Sequence, residues 1–72
     1  MNLRTAEIGR EYTVSDVNLN DRELTDFLFS LGCYRGERVT VIFRKRSGMV
    51  VSIKDGRYSI DNALAEAIEV SA

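Results

Sequence analysis

Apolar and polar residues change their period several times along this chain, and each change marks an element. Between Glu11 and Val17, the residues Tyr12, Val14 and Val17 stand among polar neighbours. Alternation in a β-rich stretch predicts a strand. Ser15 and Asp16 disturb the alternation, which predicts a bulge or an early stop. The period then lengthens: Leu24, Phe27, Leu28 and Leu31 recur at i, i+3, i+4 and i+7. That spacing lines one face of a helix. Asn20 offers a capping side-chain oxygen, and Glu23 follows three residues later as in a capping box. Gly32 accepts the positive φ that stops a helix. The predicted helix makes about three turns and covers one open end of the β structure.

Period two returns after Gly36. Val39, Val41 and Phe43 alternate with Arg38, Thr40 and Arg44, while Ile42 makes the outer face partly apolar. Arg46-Ser47-Gly48 reads as a hairpin turn, and Met49 to Lys54 as the returning strand. Asp55-Gly56 predicts a type I′ turn, whose two central residues both need φ > 0. Arg57 to Ile60 forms a third strand. Asp61-Asn62 caps a single helical turn through Leu64 and Ala65. Ile68 and Val70, flanking Glu69, close the chain as a short strand. The fold class is therefore mostly β, with about five strands, one α-helix after the first strand and a short helical turn before the last. A small sheet avoids exposed edges best by curling into a barrel.

Composition narrows what such a fold can do. The 72 residues allow one domain, and the 44% apolar content is enough for a core. Ten basic and eleven acidic side chains leave a net charge of −1. A general nucleic-acid binder is usually strongly basic, so no direct nucleic-acid contact is expected. Near-neutrality also permits weak self-association. Met1 to Glu7 holds no apolar run of the signal-peptide kind, and no segment has the roughly 18 apolar residues of a membrane span. A cytoplasmic protein is expected, with any membrane role exercised through a partner.

The chain has no histidine and a single cysteine, Cys33. Without histidine the commonest general base is missing, and Cys33 has no Cys–His partner. No phosphate loop is present, since Gly32-x-x-x-Gly36 does not run on into Gly-Lys-Ser/Thr. One cysteine without histidine cannot build a zinc or soft ferrous site alone. Asp16, Asp21 and Asp26 are expected to form a solvated acidic face. No catalytic residue, metal site or cofactor is expected, and Cys33 reads as a buried, inert thiol.

The order of these elements carries a resemblance. Leu31-Gly32-Cys33-Tyr34-Arg35-Gly36-Glu37-Arg38-Val39-Thr40-Val41 resembles the LGL-x-PG-x-x-V-x-V pattern of FeoA proteins. Ile60, Leu64-Ala65 and Ile68-x-Val70 resemble that family's closing IAL…LA…I-x-V. Leu3, Gly9, Tyr12 and Val14 sit where the family has its opening strand. Cys33 stands in place of the usual aliphatic residue, and Arg35 in place of the usual proline. The resemblance implies an SH3-like barrel and a cytoplasmic accessory of bacterial ferrous iron uptake. Its implied partner is FeoB, a membrane permease with a cytoplasmic GTP-binding region. The same small barrel is similar to the C-terminal domain of iron-dependent repressors, which keeps a nucleic-acid-binding or regulatory module as the second reading.

Partner contacts are expected where aromatic or basic side chains face out. Phe29 lies two residues from Phe27 and points away from the apolar helix face. Tyr34 follows in the turn. Arg44-Lys45-Arg46 forms a basic cluster at a hairpin tip, suited to an acidic surface or a phosphate. Exposed aromatics are enriched among interface hot spots.

Overall fold

The computed structural model describes residues 1–72. Seven elements follow in chain order: β1 (Glu11–Val17), α1 (Arg22–Leu31), β2 (Arg38–Lys45), β3 (Gly48–Ile53), β4 (Gly56–Asp61), α2 (Asn62–Ala67) and β5 (Ile68–Ser71). The strands make one antiparallel sheet of order β4-β3-β2-β1-β5. Strands β4 and β5 are its two edges and do not pair with each other. Helix α2 connects them, capped by Asp61, whose Oδ1 accepts from the Leu64 amide at 2.7 Å.

One face of the sheet carries the core. Val39, Val41, Val51, Ile53, Tyr12 and Val14 are buried together, with Leu64, Ala65, Ile68 and Val70 from the closing segment. Val39 and Val41 thus lie inward, as their alternation predicts, with Val51 paired to Val41 beside them. The N-terminal segment adds Leu3 and Ala6 to this core. It also covers β5: the Leu3 amide donates to the Ile68 carbonyl at 3.1 Å, and the Val70 amide donates to the Met1 carbonyl at 2.8 Å.

Two bulges adjust the register. One lies between Val14 and Asp16, where the alternation fails in the sequence. The other lies between Val41 and Phe43. Phe43, expected on the buried face with Val39 and Val41, is 49% exposed. A one-residue slip moves every following side chain to the opposite face, so Phe43 pairs with Val50 and turns outward.

Helix α1 departs from expectation at its start and along its face. Its N-cap is Asp21, one residue after the predicted Asn20, and the Asp21 side chain accepts from the Leu24 amide at 3.2 Å. Either side chain can cap; the extended backbone at Asp21 puts the first helical residue at Arg22. Gly32 ends the helix at φ 91°, as predicted. The Cys33 amide reaches the Leu28 carbonyl and the Gly32 amide the Phe29 carbonyl, the bond pair of a Schellman cap. Of the four residues predicted to face the core, only Leu28 is fully buried. Leu31 is half-buried, while Leu24 and Phe27 are 40% and 47% exposed. The helix thus rests on the core through Leu28 and Leu31, and Leu24 and Phe27 are left largely uncovered.

The β3–β4 turn also differs from the predicted type I′ turn at Asp55-Gly56. Ile53 pairs with Gly56, so the two central residues are Lys54 and Asp55. Only Lys54 has positive φ, at 53°. Gly56 lies under the Tyr58 hydroxyl, which a Cβ there would displace.

Candidate functional site

The Schellman cap turns the chain so that Tyr34 comes back alongside the last turn of α1. Phe29 and Tyr34 stack there with ring centroids 4.8 Å apart and planes tilted by 32°. This packing orders two rings that would otherwise rotate freely, and such pairs contribute about 0.5–1.5 kcal/mol beyond buried area. Phe29 stays 64% exposed, as its position on the helix predicts.

Opposite the rings stands the β3–β4 turn. The Lys54 Nζ donates to the Tyr34 hydroxyl at 3.3 Å and lies 5.6 Å from the ring centroid. It also lies 3.7 Å from Glu37 Oε1. The hydrogen bond to Tyr34 and then the charge of Glu37 push the Lys54 ammonium above its ordinary range. Between helix end and turn lies an open groove of about 530 Å³, with Ile53 and Tyr58 among its lining residues and Asp55 at the turn. The groove offers aromatic faces, one fixed cation and several hydroxyls. Those groups suit recognition of a side chain or short segment, and none is arranged as a nucleophile with its base.

The basic cluster lies elsewhere. The two hairpin turns flank the six-residue β3, about 17 Å apart at the rise of an extended strand. Arg44 folds back on the N-terminal segment: its Nη2 donates to the Leu3 carbonyl at 3.2 Å and also to the Ala6 carbonyl. Lys45 Nζ donates to Ser59 Oγ at 2.8 Å. Only the Arg46 side chain is left without a bond; its carbonyl accepts from Asn62 Nδ2 at 3.2 Å. The structure therefore brings Phe29 and Tyr34 together and separates both from the basic residues. Lys54 and Tyr58 escaped the sequence reading, because nothing local links Lys54 to a tyrosine 20 residues earlier.

Cys33 is buried beneath this corner, and burial pushes its thiol from an ordinary 9.0 to about 11. A thiol that holds its proton is a poor nucleophile and a poor metal ligand. No three Cys, His, Asp or Glu side chains converge in a metal-holding group.

A family model described as the FeoA domain matches residues 1–72. The chain belongs to the FeoA family. That family is associated with ferrous iron transport. No curated protein matches this FeoA chain. Among solved structures it is similar to the crystal structure of an iron uptake regulatory protein, also a FeoA. The two share 22% identity over 97% of this chain and 93% of that one, with a TM-score of 0.85. The Stenotrophomonas maltophilia FeoA, a procaryotic SH3 domain protein solved in complex with zinc, is 18% identical. The match covers 99% of this chain and 89% of that one at a TM-score of 0.85. A manganese-dependent transcriptional repressor matches at 22% identity and a TM-score of 0.87. There, 97% of this chain aligns with 40% of the repressor. The fold is SH3-like, as the resemblance implied. No helix of this FeoA is long and apolar enough to cross a membrane.

Proposed function

We propose that this FeoA is a cytoplasmic accessory of bacterial ferrous iron uptake that binds the GTP-binding region of a FeoB permease and catalyses nothing itself. The observation that carries the reading is the exposed Phe29–Tyr34 stack beside Lys54. An ordered aromatic pair in an open groove loses little side-chain entropy when a partner covers it, which is what hot-spot residues have in common. Family membership supplies the pathway. Binding changes the permease only if affinity differs between its states.

Titration of the isolated GTP-binding region with this chain tests the reading. Phe29→Ala should raise Kd by about tenfold or more, while the fold loses no more than the roughly 0.5–1.5 kcal/mol that the ring pair contributes. Equal affinity for parent and variant would remove the groove from the interface. Absence of any binding would remove the partner. The nucleic-acid reading is weakened by Arg44, whose guanidinium is held by the Leu3 and Ala6 carbonyls.

A further inference from the structure

The two edges of the sheet are treated differently. Strand β5 is covered by the N-terminal segment, which pairs Asn2 with Glu69 and bonds to Ile68 and Val70. Strand β4 pairs with β3 alone. Ile53 and Gly56 close the hairpin as a bonded pair, so alternate residues of β4 bond inward and the intervening ones outward. Arg57 and Ser59 are the outward ones: their amides and carbonyls face away from β3, and both residues are exposed. An open row of donors and acceptors is a template for another strand.

Charge selects what that strand can be. From Gly56 to Ile60 the edge carries no carboxylate. Arg57 lies on it, and Lys45 reaches it from β2, its Nζ on Ser59 Oγ. Neither cation has an ion-pair partner. Asp61 is occupied as the cap of α2, and the one remaining acid, Asp55, sits in the turn beside Lys54. Two copies of this edge laid antiparallel would set cations against cations, which is unfavourable across a strand pair. An acidic strand meets the opposite situation.

We propose that the free edge of β4 takes up an extended acidic segment of a partner protein as a sixth strand. Main-chain bonds form at Arg57 and Ser59, and Lys45 and Arg57 hold the carboxylates. This mode of recognition takes affinity from the backbone and selectivity from alternate side chains. It deepens the proposed function by naming the kind of segment bound, yet its test needs no permease.

The probe is a capped peptide of alternating valine and glutamate, about eight residues long to match a typical strand. A valine–lysine peptide of equal length is the control. With the whole chain isotopically labelled, saturation by the glutamate peptide should shift the Arg57 and Ser59 amides. It should also slow their hydrogen exchange by about tenfold or more. Binding should weaken with added salt, as exposed charge pairs do. Ser59→Pro removes an outward donor without touching the β3 ladder and should abolish the protection. Should that variant unfold, the pair Lys45→Glu and Arg57→Glu serves instead, and should reverse the preference toward the lysine peptide. Protection by neither peptide or equally by both would overturn the proposal, leaving the cations as guards of the edge. Concentration-dependent protection of these amides in the protein alone would equally overturn it, in favour of self-pairing. Permease binding without peptide binding would sink the edge and leave the groove standing.

Discussion

Cys33 illustrates how a single buried group ties stability to pH. Its thiol ionises near 11 in the folded chain and near 9.0 when unfolded. Below pH 9 both states hold the proton, and stability is indifferent to it. Between pH 9 and 11 the unfolded chain releases a proton that the fold retains, so unfolding becomes easier as pH rises. The loss across that window is about 2–3 kcal/mol, since each tenfold difference in proton affinity between the two states is worth about 1.36 kcal/mol. Urea titrations at pH 8 and pH 10.5 should show this slope, and Cys33→Ala should flatten it whatever that variant does to stability at pH 8. A parallel decline in both proteins would mean that other groups control alkaline unfolding. The inert reading of Cys33 was available from the sequence because Gly32 and its apolar neighbours place it at a helix end turned toward the core. Lys54 was not available. Its meeting with Tyr34 and Glu37 depends on how two distant turns pack, and on a backbone at φ 53° that a lysine rarely adopts.

At the scale of elements, the apolar face of α1 divides into covered and uncovered positions. Leu28→Ala removes a fully buried side chain and should cost about 2–5 kcal/mol. Leu24→Ala and Phe27→Ala, at the uncovered positions, should each cost less than about 1 kcal/mol. Asp21→Ala should cost about 1 kcal/mol, and Asn20→Ala almost nothing, since Asp21 supplies the cap. Equilibrium denaturation of the five variants measures all of this; equal losses at Leu24 and Leu28 would mean that the whole helix face is packed. The elements themselves were legible because periods of two and 3.6 are local properties. What periodicity cannot convey is whether an apolar face finds something to cover it, and here half of α1 does not. The bulge before Phe43 is hidden for a related reason: Val39, Val41 and Phe43 keep perfect alternation straight through it, and only the pairing with β3 slips.

For the molecule as a whole, long-range ties outnumber local ones in importance. The domain measures only 28 × 25 × 23 Å, and its first six residues are stitched to distant positions. Arg44 holds the Leu3 and Ala6 carbonyls, and Arg4 pairs with Glu66. Arg44→Ala leaves both carbonyls without that donor and should free Met1 to Ala6. Hydrogen exchange at Leu3 and Ala6 should accelerate by at least about tenfold, while Val41 and Val51 keep their protection. Uniform acceleration across the sheet would show that the stitch holds the entire domain. A basic triplet in a sequence carries no mark of this duty, and the guanidinium's place follows from where the N-terminal segment meets β2, at Ile8 and Val41.

The pairing of β1 with β5 has a bearing on how the chain first acquires its shape. Thr13 meets Ser71, and Val14 meets Val70, so the earliest strand must wait for the latest. The β2–β3–β4 meander can assemble from neighbours in sequence, but β1 gains its second flank only when the last few residues arrive. Loop closure over such a span is slow compared with local pairing. The sheet therefore stays unfinished during folding until Ile68 to Ser71 pair with β1. A chain lacking Ile68 to Ser71 would leave β1 bare on one side, in the state most prone to seek a strand from another molecule.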